Sequence, residues 1–117
     1  MSQYTLYHNP NCSKSRAALE LLQSRHIEPV IVHYLDVPPT AAELHALLAK
    51  LGLPARELMR KGEDAYTNLG LDNPELTEEQ LVDAMVREPR LIERPVLADA
   101  TRAVIGRPTE KLLELLG

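Results

Sequence analysis

Apolar positions along the chain fall into short stretches of strand period separated by longer stretches of helix period. Tyr4-Thr5-Leu6-Tyr7 is short and rich in β-favouring side chains, and Asn9-Pro10-Asn11 interrupts it with turn residues before a helical pattern begins near Ser13. Ala18, Leu21 and Leu22 share one face of that helix, and Val30-Ile31-Val32-His33-Tyr34-Leu35, following Pro29, reads as a second, buried strand. Strand, helix and strand in succession predict a βαβ unit with parallel strands.

The middle of the chain changes character. After Pro38-Pro39, Thr40-Ala41-Ala42-Glu43 is a capping box, in which the Thr hydroxyl and the Glu carboxylate satisfy backbone N–H groups at a helix start; Leu44, Leu47, Leu48 and Leu51 carry the pattern to Gly52. A second box, Thr77-Glu78-Glu79-Gln80, opens a helix with Leu81, Ala84 and Met85 on one face, stopped by Pro89. Residues 40–89 are therefore read as mostly helical. Strand character returns at Pro95-Val96-Leu97-Ala98 and Ala103-Val104-Ile105, ahead of a last amphipathic helix from Thr109 through Leu112, Leu113 and Leu116. The order βαβ, helices, ββα is the thioredoxin-like order of an α/β chain, one that many small α/β folds also share. It predicts one domain over residues 1–117 with a helical insertion at about 40–89.

Composition narrows the function. Twenty-one leucines against four tyrosines, with no Phe or Trp, make an aliphatic core, and 117 residues suffice to fold without a metal or a disulfide. A net charge of −4 with no Lys/Arg run argues against nucleic acid as a partner. Nine of the thirteen basic residues are Arg, the side chain suited to bidentate recognition of oxyanions, so a small anionic substrate stays open. No stretch approaches the roughly 20 apolar residues of a membrane span. Met1 to Tyr7 lacks the basic region and long apolar run of a signal peptide, so a cytoplasmic setting, where a thiol stays reduced, is expected.

The most informative segment is His8-Asn9-Pro10-Asn11-Cys12-Ser13-Lys14-Ser15-Arg16, which puts the chain's one cysteine at a helix N-terminus. Thiolate is the nucleophilic form, and a helix start with cations nearby favours it; Lys14, Arg16 and His8 are the cations in the segment. A lone cysteine is most often a small buried hydrophobe, but this polar, proline-bearing setting favours a reactive one. A phosphatase-type loop needs five residues between Cys and Arg, whereas Arg16 follows Cys12 after three. A Cys-x-x-Cys dithiol is broken by Ser15. One Cys and the scattered His8, His26, His33 and His45 offer no zinc-ligand spacing, so no metal is expected, and His26, His33 and His45 read as surface or strand-face histidines.

Arg94-Pro95 and Arg107-Pro108 flank the predicted hairpin. A two-residue turn at Ala100-Thr101 pairs Val96 with Ile105 and Asp99 with Arg102 and sets Arg94 opposite Arg107, while the absence of Gly or Asn there leaves a longer loop open. Like charges in that position destabilise a sheet, which points to an anion between them; the alternatives are that both splay into solvent or pair with Glu93 and Glu110. Proline after Arg94 also invites a cis peptide. Arg60, within Met59-Arg60-Lys61-Gly62-Glu63-Asp64, reads equally well as part of a solvated helix end.

Together His8-Asn9-Pro10-Asn11-Cys12-Ser13-Lys14-Ser15-Arg16, Arg60-Lys61-Gly62-Glu63, Glu93-Arg94-Pro95 and Ile105-Gly106-Arg107-Pro108 resemble the glutaredoxin-coupled arsenate reductase (ArsC) family, over nearly the whole chain. The resemblance implies a thioredoxin-like fold with a helical insertion and reduction of arsenate to arsenite in the cytoplasm; a monomer is expected. It implies no bound cofactor, with glutathione and glutaredoxin as electron donors. Cys12 would attack arsenate, Arg60, Arg94 and Arg107 would bind the oxyanion, and His8 and Ser15 would stabilise the Cys12 thiolate. Two other readings remain: a monothiol glutaredoxin-like protein handling glutathione mixed disulfides, and a non-catalytic binding module like the related Spx-type regulators. The latter often carry the Cys-x-x-Cys that Ser15 interrupts here.

Overall fold

Each predicted strand forms, the first three shorter than their apolar runs and the fourth over the whole of its run. The structure, a computed structural model, describes residues 3–116. Its strands are β1 (Thr5–Tyr7), β2 (Val30–Val32), β3 (Val96–Ala98) and β4 (Ala103–Ile105). Among the described residues they form one sheet in the order β2-β1-β3-β4, with β1 parallel to β2 and the other two pairings antiparallel. The parallel pair needs a crossover, supplied by helix α1 (Ser13–Ser24). β2 stops at Val32, short of the predicted Leu35, because the His33 carbonyl turns the chain by accepting from the N–H groups of Asp36 and Val37.

The register places Ile31, Leu6, Leu97 and Val104 in one row across all four strands. That row packs with Ala18 and Leu22 of α1 and with Leu112 and Leu115 near the C-terminus. Leu6, Leu22, Leu97 and Leu112 are fully buried, each burial contributing roughly 1.5–3 kcal/mol. The last segment is not one α-helix from Thr109: Thr109–Leu112 is a 3-10 turn and only α6 (Leu113–Leu116) is α-helical, with an exposed Pro108 in extended backbone before it. Three-residue periodicity aligns positions i and i+3, which lets both Leu112 and Leu115 face the core.

Helix α1 ends in a Schellman arrangement. The Ile27 N–H donates to the Leu22 carbonyl at 2.9 Å and the His26 N–H to that of Gln23 at 3.0 Å, while Ile27 packs on the cluster containing Leu22. This motif needs a left-handed residue just past the helix, usually Gly; here it is His26, at φ 61°.

The chain divides into two compact units. One comprises the residues up to Val37 together with those from Arg94 onward, and contains the sheet; the other is Pro38–Glu93. In the second, α2 (Ala41–Leu51), α3 (Ala55–Leu58), α4 (Asp64–Asn68) and α5 (Glu78–Arg87) follow one another, and α2 and α3 both pack on α5. Both capping boxes close as predicted, with Thr40 accepting from Glu43 N–H and Thr77 from Gln80 N–H, each reciprocated. A Met59–Ile92 bridge, with Glu93 N–H donating to Leu58 C=O at 2.7 Å, draws this unit past the predicted end at residue 89. Among the described residues no helix is long and apolar enough to cross a membrane.

A non-glycine residue in the left-handed region is strained, so His26→Gly is expected to stabilise the protein by roughly 0.5–1 kcal/mol even after the added unfolded-state entropy of glycine. Urea denaturation checks this through a higher midpoint at unchanged slope.

Candidate active site

Cys12 is the N-cap of α1, in extended backbone at φ −104°, ψ 123°, and it is a half-buried free thiol. The loop before it is tied down by its own polar atoms. The Asn9 carbonyl accepts from Cys12 N–H and its Oδ1 from Asn11 N–H, both at 3.0 Å. Two residues of the first helical turn hold the same loop: Ser15 Oγ accepts from Asn9 N–H at 3.0 Å, and Arg16 Nη1 donates to the Pro10 carbonyl at 2.9 Å. The segment thus aims Cys12 rather than merely ending a strand. Asn9 is a residue the sequence presents only as a turn former, although an Asn whose side chain accepts two residues on is the known Asx signal.

Burial pushes the Cys12 thiol up, and three groups more than offset it. They are the Ser15 N–H, the Arg94 guanidinium and the Lys14 N–H, so the thiol is held below its ordinary value. Arg107 Nη2 also lies 3.9 Å from Cys12 Sγ, a long charge-assisted contact. The cations acting on the sulfur therefore come from the hairpin, 82 and 95 residues away in sequence, and not from the cations of the segment itself. Lys14 acts through its backbone and Arg16 is spent on Pro10. Burial, with His33 and Arg16 close by, lowers the His8 pKa.

His8 and Ser15 meet. His8 Nδ1 and Ser15 Oγ are 2.7 Å apart, both residues are buried, and His33 stands edge-on to the His8 ring with centroids 6.1 Å apart. Ser15 Oγ accepts from Asn9 N–H and is hydrogen-bonded to His8 Nδ1 as well, so one hydroxyl ties both groups together. Ser15 thus acts on Cys12 through its backbone N–H while its hydroxyl buttresses the loop.

The hairpin has the predicted register. Val96 pairs with Ile105 and Ala98 with Ala103, Asp99 N–H donates to Arg102 C=O at 2.8 Å, and Gly106 N–H to Pro95 C=O at 2.8 Å. Arg94 and Arg107 consequently come together, and Arg107 Nε donates to the Arg94 carbonyl at 2.7 Å. The peptides before Pro95 and Pro108 are both cis. The anion that two facing arginines call for is met first by the sulfur of Cys12. Gly106, just before Arg107, leaves little room for a side chain: a Cβ would lie 3.0 Å from Leu112 Cδ2 and from Pro95 Cγ, and these would have to give by a few tenths of an ångström.

Arg60 lies in the Pro38–Glu93 unit, with its Nη1 on Glu63 Oε2 at 3.0 Å and 3.4 Å from the Arg90 carbonyl. Of the remaining histidines, His26 and His33 are exposed, and His45 pairs with Glu79 at 3.1 Å. Among the described residues no group of His, Cys, Asp and Glu is arranged to hold a metal ion. The arrangement supplies an activated sulfur nucleophile beside two guanidinium groups, which suits attack on a small oxyanion.

Comparison with known proteins agrees with that chemistry. The model of the ArsC family matches residues 7–115. The uncharacterized protein YfgD of Escherichia coli (strain K12) is 50% identical over 116 residues, covering 98% of each chain. An arsenate reductase of Neisseria meningitidis serogroup A is 46% identical over 99% of this chain and 100% of its own. A solved arsenate reductase from Vibrio cholerae superposes with a TM-score of 0.94 at 41% identity, over 97% of both chains.

Three expectations follow from the geometry. Arg94→Gln removes a cation that favours the thiolate, so Cys12 alkylation by iodoacetamide at neutral pH should slow, with the pH midpoint of the reaction moving up. Because the folded thiol is lowered, its contribution to stability is complete above the ordinary thiol range and is lost as pH falls through the folded value; Cys12→Ser should abolish that dependence. Gly106→Ala overpacks the hairpin against Leu112 and Pro95, and should cost about 1–3 kcal/mol in urea denaturation while also slowing Cys12 alkylation as Arg107 shifts.

Proposed function

The chain belongs to the ArsC family, and on that premise we propose that it is an arsenate reductase that draws its electrons from glutathione and glutaredoxin. The observation that carries the reading is the Cys12 sulfur, lowered in pKa and faced by Arg94 and Arg107. Arsenate repels an anionic nucleophile, and guanidinium groups at the point of attack offset that repulsion in the transition state. The proposal assigns oxyanion binding to Arg60, Arg94 and Arg107. It assigns support of the thiolate to Ser15 and, through the Ser15 hydroxyl, to His8.

In the first step Cys12 forms a sulfur–arsenic bond and one arsenate oxygen leaves as water, its protons drawn from the substrate and solvent. A glutathione thiolate then attacks the Cys12 sulfur. A disulfide forms between them, the sulfur–arsenic bond breaks, and its electron pair stays on arsenic, which departs as arsenite. The two electrons come from the two thiols. With Cys12 as the chain's one cysteine, an outside thiol must regenerate it, and a glutaredoxin thiolate attacks the glutathione sulfur so that Cys12 leaves as thiolate. Such donors place the reaction in the cytoplasm.

Phosphate matches arsenate in shape and charge but is not reduced by thiols, so selectivity on this reading lies at sulfur rather than in the arginines. The test is arsenate-dependent NADPH oxidation coupled through glutathione reductase. Turnover should require both glutathione and glutaredoxin, vanish in Cys12→Ser, and fall roughly 100-fold or more in Arg94→Ala. Turnover of a glutathionylated model substrate without any response to arsenate would contradict the proposal.

A further inference from the structure

Arg60 is held by a carboxylate from its own helical unit. Its Nη1 lies 3.0 Å from Glu63 Oε2, three residues on, and both side chains are partly shielded, at 27% and 20% exposure. The other contact of the guanidinium is long, 3.4 Å from Nη1 to the Arg90 carbonyl. The backbones are fixed separately. Arg60 N–H donates to Leu91 C=O at 2.7 Å and Glu63 N–H to Arg60 C=O at 3.2 Å, so the ion pair can open without unfolding a helix. Glu63 is also the N-cap of α4, yet its side chain makes no capping bond there and turns to Arg60 instead.

A guanidinium binds an oxyanion through the same N–H edges that it offers a carboxylate. An oxyanion that engages Nη1 of Arg60 must therefore displace Glu63. We propose that Glu63 is an affinity-setting residue: an internal anion that occupies Arg60 until an oxyanion exchanges with it. The inference rests on the assignment of Arg60 to the oxyanion made above. A partly exposed ion pair is a modest competitor, and exchange with it weakens binding by about two- to fivefold.

The experiment is arsenate binding by isothermal titration calorimetry to the full chain carrying Cys12→Ser, which leaves the arginines in place and stops the chemistry. Glu63→Gln, near-isosteric and uncharged, is added alone and together with Arg60→Ala. Far-UV circular dichroism establishes folding, and Glu63→Ser serves if the Gln variant does not fold. The proposal expects Arg60→Ala to weaken binding, Glu63→Gln to tighten it about two- to fivefold, and that gain to vanish in the double variant. Weaker or unchanged binding in Glu63→Gln, with Arg60→Ala still damaging, overturns the role of Glu63 and leaves the Arg60 assignment standing. Unchanged binding in Arg60→Ala overturns both.

Discussion

A single sulfur at the head of a helix organises the sheet-bearing unit. Cys12 sits where the first-turn N–H groups of α1 converge, and the hairpin brings Arg94 and Arg107 to the same point. Removing the sulfur from water raises the cost of its charge, so the thiolate depends on all of these groups being placed together. The four-stranded arrangement does that placing. β1 leads directly into the Cys12 loop, and the β3–β4 register sets the two arginines across from one another.

This placement works against the helix itself. Acidic side chains normally occupy a first turn, and α2 and α5 carry Glu43 and Glu78 with Glu79 there. α1 has no acid in its first turn and carries Lys14 and Arg16 instead. Cations near a helix N-terminus oppose its dipole by a few tenths of a kcal/mol each, so the anion that satisfies this end is the thiolate. Arg16 recovers part of that cost by holding the Pro10 carbonyl.

Much of this was legible in the amino-acid sequence because the signals were local. Both capping boxes, the Asn-Pro-Asn break and the hairpin pairing depend on neighbours a few residues apart, and the hairpin register alone was enough to bring Arg94 to Arg107. The strand ends were less legible, since apolar residues such as Tyr34 can be buried outside a strand. Proximity in sequence points to Lys14, Arg16 and His8 as the cations on Cys12, while the fold delivers Arg94 and Arg107 from the far end of the chain. The left-handed His26 was illegible for a different reason: the motif is made by backbone hydrogen bonds, and its usual marker, glycine, is absent.

The central claim is that folding itself makes Cys12 a better thiolate. Its most direct test is the absorbance of the thiolate at about 240 nm, followed against pH in the native chain and again in denaturing urea, where Cys12 takes its ordinary thiol value. The account predicts a native transition at lower pH than the unfolded one. A native transition at the same pH or higher would contradict it, because burial would then outweigh the helix and the two arginines.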